Sequence, residues 1–256
     1  MMQTRRRTPL VIRIAAPIAL GGLIMITWHL VVANGGIPPT LLPPPGRVLD
    51  RLTGDLCSGR LNMPMLVTLS EALLGCVLAA LVALPIAWSI VHYRLIDALT
   101  APYLAASQAL PAVAIAPLLA IWLGYGRLPV VVLCSVMVFF PMVLATALGL
   151  RGIDRDIMDA ARVDGASAGQ LARWLEWPMA LPATLTGIRN GCTLSITGAV
   201  VGELVMGGSG LGQRLAVQSQ SHDTVGLFVT LLVLCTLAIG CYLLVTLIEY
   251  LTNPYR

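Results

Sequence analysis

Long apolar runs separated by short polar breaks make up nearly the whole chain. The runs cover residues 10–32, 65–91, 99–123, 128–150, 179–206 and 225–250. Each reaches the roughly 20 residues that a helix needs to cross the hydrocarbon of a bilayer. An all-α integral membrane protein with about six transmembrane helices is therefore predicted, as one transmembrane domain spanning residues 1–256. The breaks differ in kind. Residues 1–9 form a basic tail, with Arg5, Arg6 and Arg7. Residues 33–64 are rich in breakers, Gly35-Gly36 and Pro43-Pro44-Pro45-Gly46 among them, yet RVLDRLTGDL at 47–56 has helical spacing and predicts a short amphipathic helix. Residues 124–127 form a tight turn and 207–224 a loop. Residues 151–178 form the one long polar interruption in the second half.

Composition supports this pattern. Hydrophobic residues make up 57% of the 256 and charged residues 11%, against roughly 25% charged in soluble domains. Mean hydropathy is +0.86. All sixteen basic residues are arginine. A phosphate-binding loop of the Walker A type needs a lysine, so the chain does not itself bind ATP in that way. Its arginines are scattered among apolar runs, unlike a nucleic-acid surface. The six cysteines form no CxxC and none stands at metal-ligand spacing from a histidine. Five sit in apolar runs, as small buried hydrophobes do; Cys57 lies in a polar segment and reads as a free thiol.

Arginine distribution orients the spans. With the N-terminus inside, Arg5, Arg6, Arg7, Arg13, Arg94, Arg151, Arg155, Arg162, Arg173 and Arg256 fall inside; Arg47, Arg51, Arg60, Arg127 and Arg214 fall outside. Ten against five follows the positive-inside bias. Both termini are thus expected in the cytoplasm of a cell-membrane, multi-pass protein. Trp28 and Trp122 then fall near outer ends and Trp88, Trp174 and Trp177 near inner ends, where indoles prefer to sit.

The inner loop, DRDIMDAARVDGASAGQLARWLEWPMALP from Asp154 to Pro182, carries the candidate chemistry. Acidic residues and alanines at 156–161 suit a helix start. Gly165 allows a turn and close approach, residues 170–175 can form a second short helix, and Pro178 is expected to separate loop from span. From physics alone, a docking lever and an ordinary amphipathic surface loop are both open.

Asp159-Ala160-Ala161-x-x-x-Gly165-x9-Leu175-x-Trp177-Pro178 resembles the EAA loop of ABC importer permeases, E-A-A-x-x-x-G-x9-I-x-L-P, with Asp for Glu, Leu for Ile and Trp for Leu. Ser107-Gln108-Ala109-Leu110-Pro111, Ile121-Trp122-Leu123-Gly124-Tyr125-Gly126, Phe139-Phe140-Pro141, Val201-Gly202-Glu203 and Gly210-Leu211-Gly212 are similar to the nitrate, sulfonate, taurine and thiamine-precursor branch. The resemblance covers roughly residues 40–250. It implies a type I importer permease fold with a cytoplasmic coupling helix. It also implies ABC ATPase subunits as partners, a second permease chain (a homodimer) and an extracytoplasmic solute-binding protein. ATP would be bound and hydrolysed by the partner, with no cofactor on this chain. The coupling residues carried over are Asp159, Ala160, Ala161, Arg162, Gly165, Ala166, Leu175 and Pro178.

Polar residues inside spans are functional candidates by default. Ser107, Gln108 and Glu203 are candidates for the translocation path, with interhelical hydrogen bonding the competing role. Glu71 is expected to reach water at its span end, Arg189 to be a packed ion partner or interfacial, and His29, His92 and His222 to be interfacial. Gly187 and Gly191 favour close helix contact. The scarcity of basic groups along the spans favours a neutral or zwitterionic solute, and Thr68, Glu71, Tyr103 and Gln108 lean toward heterocycle transport over anion transport. Two other classes remain as alternatives. An ion-coupled secondary transporter would want carboxylates deep in its spans. An intramembrane serine protease would use Ser209 of Gly207-Gly208-Ser209-Gly210 with a nearby base; His222 stands thirteen residues on.

Overall fold

The structure, a computed structural model, describes residues 10–107 and 111–252. The basic tail 1–9, the Arg13 side chain, Gln108 and the segment Asn253–Arg256 lie outside the described residues. All regular structure among the described residues is helical. In chain order the helices are α1 (Leu10–Ala33), α2 (Pro45–Cys57), α3 (Asn62–His92), α4 (Arg94–Ser107), α5 (Ala112–Leu123) and α6 (Arg127–Arg151). Then come α7 (Arg155–Val163), α8 (Ala168–Leu171), a π-helical turn (Ala172–Glu176), α9 (Trp177–Met206), α10 (Leu211–Gln220) and α11 (Thr224–Thr252).

Among the described residues, α3, α6 and α11 are each long and apolar enough to cross a membrane, and counting each of two bent helix pairs as one span brings the number to at most five. The first apolar run forms α1, whose described apolar stretch, Ala19–Ala33, is shorter than a full span.

Small residues set the packing. A Cβ on Gly149 would stand 2.5 Å from the Ala183 Cβ, one on Gly187 2.8 Å from that of Ala145, and one on Gly191 2.7 Å from Val138 Cγ1. Glycine at these positions lets α6 and α9 lie backbone to backbone, which is how spans gain contact when lipid offers no hydrophobic drive. The Gly187/Gly191 pair thus serves contact within one chain. Gly75 does the same for α3 against Cys134 of α6. Leu133, Cys134, Val138, Met142 and Val143 of α6 are fully buried at the centre. At one end, Trp28 of α1 donates its indole N–H to the Pro43 carbonyl (3.1 Å) and its ring lies 5.4 Å from Phe228.

Three sequence expectations need correction. The third apolar run is not one helix: α4 and α5 are inclined at 106°. Pro111, at φ −75°, ψ 125°, starts α5 in extended backbone, since proline cannot accept a continuing helix without losing a bond. The 207–224 segment is not merely a loop; it contains α10, inclined by 50° to the helical run ending at Met206. Pro178 does not separate the loop from the span. Helix runs on from Ala168 through the π turn into α9, with the Trp177 N–H bonded to the Ala172 carbonyl five residues back. That wider turn takes up the residue whose hydrogen bond proline cannot make.

Candidate functional site

The segment 151–178 folds as two capped short helices joined to a span. Asp154 caps α7, its carboxylate accepting the Asp156 N–H at 3.0 Å. Asp159 and Arg162 pair at 2.6 Å along the helix. The helix ends where Ala166 N–H reaches the Ala161 carbonyl and Gly165 N–H that of Arg162, both at 3.0 Å. This double closure needs a left-handed residue between, and Gly165 supplies it at φ +88°. Ser167 and Gln170 form a reciprocal capping box that starts α8.

The coupling candidates divide between two concavities. Ala161, Gly165, Ala166 and Leu175 line one of about 410 Å³, together with Gln170 and Trp174. Asp159 and Arg162 line the other, of about 720 Å³, between α7 and the ends of α3 and α6, with His92, Arg151, Arg155 and Glu176. Ala160 lines neither, and Pro178 lies in the first turn of α9. Around the first concavity, Val163 is 87% and Trp174 72% exposed. Large apolar side chains so placed on a polar loop mark a contact surface.

At the loop end of the bundle the sequence left one cluster unread. Glu176 is buried; it accepts the Trp88 indole N–H at 2.8 Å and stands 3.0 Å from His92 Nε2. His92 therefore serves as more than an interfacial residue. Glu176 lies 88 and 84 positions from these partners, so no local pattern could have shown the contact.

The translocation candidates are not brought together. Ser107 lines a cavity of about 350 Å³ with Ala112, Ile115, Met137, Phe140 and Pro141, and its hydroxyl donates to the Leu104 carbonyl. Glu203 is fully buried near the end of α9 that lies away from residues 151–178. One of its oxygens accepts from the Thr68 hydroxyl (2.6 Å) and the other from the N–H groups of Gly212 (2.6 Å) and Gln213 (3.4 Å). Thr68 in turn accepts the Leu211 N–H at 2.8 Å. The N-terminus of α10 is thus capped by side chains of α9 and α3, a favourable place for a carboxylate. A Cβ on Gly210 would overlap that carboxylate, and one on Gly212 would come within 2.6 Å of the Val200 carbonyl, which accounts for the Gly-Leu-Gly spacing.

Glu71 does not reach water. It is 1% exposed, with Arg127 Nε 3.7 Å from its carboxylate, because α3 and α6 close over it at Gly75. Nearby, Asp55 of α2 is buried and paired with Arg214 of α10, and with Arg51 and Arg60 at 3.5 Å. Arg189 is a packed ion partner: it lies 3.3 Å from Glu249 and over the Tyr242 ring. Cys57 is exposed and Cys76, Cys134 and Cys192 are buried, but of the other two cysteines expected to be buried Cys235 is exposed on α11 and Cys241 half-buried.

Comparison with known proteins agrees with this geometry. The profile of the binding-protein-dependent transport system inner membrane component matches residues 73–254. The riboflavin transport system permease protein RibX of Chloroflexus aurantiacus is 39% identical over 229 residues, 90% of this chain and 85% of that protein. The formylaminopyrimidine transport permease ThiX of Halalkalibacterium halodurans is 28% identical, over 91% and 93%. The taurine permease TauC of Escherichia coli is 26% identical, over 80% and 77%. Among solved structures, an inward-facing MetNI methionine ABC transporter chain superposes with TM-score 0.66 at 17% identity, over 75% of this chain and 95% of that one.

Proposed function

The chain belongs to the family of binding-protein-dependent transport system inner membrane components, and from that premise we propose that residues 151–178 are the lever through which an ATPase drives it. The protein is a multi-pass membrane permease subunit of an ABC importer, serving a small solute delivered by a binding protein, and ATP hydrolysis occurs on a separate ATPase partner. The finer reading concerns which residues do what. Ala160, Ala161, Gly165, Ala166 and Leu175 form the face gripped by the ATPase. Asp159 and Arg162 stiffen α7 from behind, and Pro178 begins the rigid arm of α9. The observation that carries this is the left-handed turn at Gly165 set between two largely exposed apolar side chains, Val163 and Trp174.

In this reading the loop and both termini are cytoplasmic, and two copies of the chain pair with two ATPase subunits and one extracytoplasmic binding protein. Residues 1–256 act as a single permease domain. A domain made of packed spans can switch between two arrangements only if its partner holds them differently. Ser107, at the end of α4, and Gln108, which follows it in the sequence, are the polar positions proposed along the solute path. Glu203, with its oxygens taken up by α3 and α10, is proposed to hold that end of the bundle closed. The solute is proposed to be a neutral heterocycle of the riboflavin kind. The RibX relative at 39% supports this, as does the engagement of Arg189 by Glu249, which leaves it a poor partner for an anion.

Substituting Gly165→Glu tests the docking reading. The left-handed turn disfavours a side chain by roughly 1 kcal/mol, and the new charge enters the contact face. The variant is expected to reach the membrane, stay monodisperse and lose its ATPase. Wild-type amounts of co-purified ATPase would contradict the assignment. Competition of uptake by riboflavin but not by taurine is the expected outcome for the solute.

A further inference from the structure

A buried acid ties segment 151–178 to the bundle. Glu176 closes the π-helical turn and is 5% exposed. Both of its oxygens are taken up by α3: Oε2 accepts the Trp88 indole N–H at 2.8 Å, and Oε1 stands 3.0 Å from His92 Nε2. Trp88 and His92 are four residues apart, which places them on one side of the helix, and their rings stack at 4.1 Å. The indole donor does not titrate, and an imidazole with its hydrogen on Nε2 donates whether neutral or charged. The tie therefore needs no added proton.

Where the tie sits decides what it does. Beyond the π turn, α9 is packed into the bundle. It meets α6 where Ala180 and Ala183 lie against Gly149. It meets α3 where the Ser195 hydroxyl donates to the Ala72 carbonyl at 2.6 Å, about 28 Å along α9 from Glu176 at ~1.5 Å per residue. The π turn precedes both contacts. In it the Trp177 N–H reaches five residues back, to Ala172, and such a turn interrupts the regular ladder where helices bend. Before the turn, α7 stands over the cavity of about 720 Å³ that separates it from the ends of α3 and α6. A push on α7 would therefore bend the π turn unless the turn is anchored. The other root of the segment, Arg151 at the end of α6, pairs with Asp97 of α4 at 2.7 Å, but both side chains are half exposed, and an exposed pair contributes little. The buried anchor is Glu176.

We propose that Glu176 is a positioning residue for coupling. Through Trp88 and His92 it braces the π turn against α3, so that movement of segment 151–178 is passed to the packed spans and not absorbed by bending of the turn. This rests on the reading of the segment as the lever driven by the ATPase.

The test uses the complete transporter in nanodiscs, with its own ATPase and its binding protein as isolated with bound solute. The readout is the ratio of ATP hydrolysis with the binding protein to hydrolysis without it, per assembled complex. A role in stability alone would lower Tm and the yield of complex and leave this ratio unchanged. One hydrogen bond to a charged group changes an equilibrium about tenfold. Trp88→Phe keeps an aromatic ring over His92 and deletes the indole donor, so it should lower the ratio about tenfold. Glu176→Leu deletes both contacts and should lower it at least as far, with ATPase still bound and the unstimulated rate retained. Glu176→Gln should stay near wild type. Its amide oxygen accepts from Trp88, and its amide N–H donates to His92 Nε2 while the ring hydrogen moves to Nδ1, 2.9 Å from the Trp88 carbonyl. If Glu176→Leu does not assemble, Trp88→Phe decides by the same criterion. An unchanged ratio in Trp88→Phe, or a Glu176→Gln ratio as low as that of Trp88→Phe, in complexes that retain ATPase, would overturn the brace alone. A wild-type chain that captures no ATPase would overturn the lever reading and the brace with it.

Discussion

Removing the Glu203 carboxylate tests how α10 is held. Glu203→Leu keeps much of the side-chain volume and deletes both oxygens. It strands the Thr68 hydroxyl and the Gly212 N–H, which now donate to Glu203 at 2.6 Å each in a site with no exposure. An orphaned buried donor costs about 1–3 kcal/mol; the Gln213 contact, at 3.4 Å, adds little. Taking about 1.5 kcal/mol for each of the two stranded donors gives a loss of about 3 kcal/mol. In a chain of this size that is a fall of about 10 °C in Tm. Glu203→Gln is the control. Its oxygen can accept from Gly212 while its amide donates to Thr68, which already accepts from Leu211, so the loss is about 1 kcal/mol, the net worth of one ordinary hydrogen bond. Gly210→Ala, whose Cβ would overlap the carboxylate, should behave like the leucine variant. The assay is the temperature at which the monodisperse peak is lost on size-exclusion chromatography in detergent. If Glu203→Leu melts no lower than Glu203→Gln, the knot does not hold α10 and the reasoning fails.

Further tests address packing, topology and the outer network. Gly191→Leu should abolish assembly of the bundle, since even a Cβ there stands 2.7 Å from Val138; overpacking costs typically ~1–3 kcal/mol per site and more where backbones touch. Membrane yield and monodispersity report it. In intact cells, a membrane-impermeant maleimide should label a variant retaining only Cys57, and labelling only after lysis would reverse the orientation. Arg214→Ala should lower stability by about 1–3 kcal/mol, read as a lower Tm, because buried Asp55 loses its shortest contact but keeps Arg51 and Arg60. Asp55→Asn in the same background should recover part of that loss.

Much of the fold is legible because lipid leaves a sequence few choices. Backbone in hydrocarbon must satisfy its own hydrogen bonds, so each sufficiently long apolar run becomes helix. The short helix α2 also shows in its spacing. Breaks and joints are harder to read. Hydropathy runs unbroken across Pro111, so the turn between α4 and α5 is written only in a proline that helices elsewhere tolerate; Pro85 stays inside α3 and Pro141 inside α6. Pro178 misleads in the other direction, because a π turn absorbs it. Helix α10 is hidden because its cap is borrowed from Glu203 and Thr68 on other helices, and its own first residues are glycine-rich. Segment 151–178 is the most legible part of the candidate site, since its caps are local: Asp154, Ser167 with Gln170, and Gly165. Pairs that form across the bundle, such as Glu71 with Arg127 and His92 with Glu176, have no local signature.

Segment 151–178 is proposed to bind the ATPase whose hydrolysis this chain does not itself supply. The most direct test is native mass spectrometry of the chain purified from its own host in mild detergent. Two permease chains carrying two ATPase subunits are expected, with the Gly165→Glu chain recovered without them. A wild-type chain recovered alone, in several detergents and with no ATP hydrolysis, would contradict it.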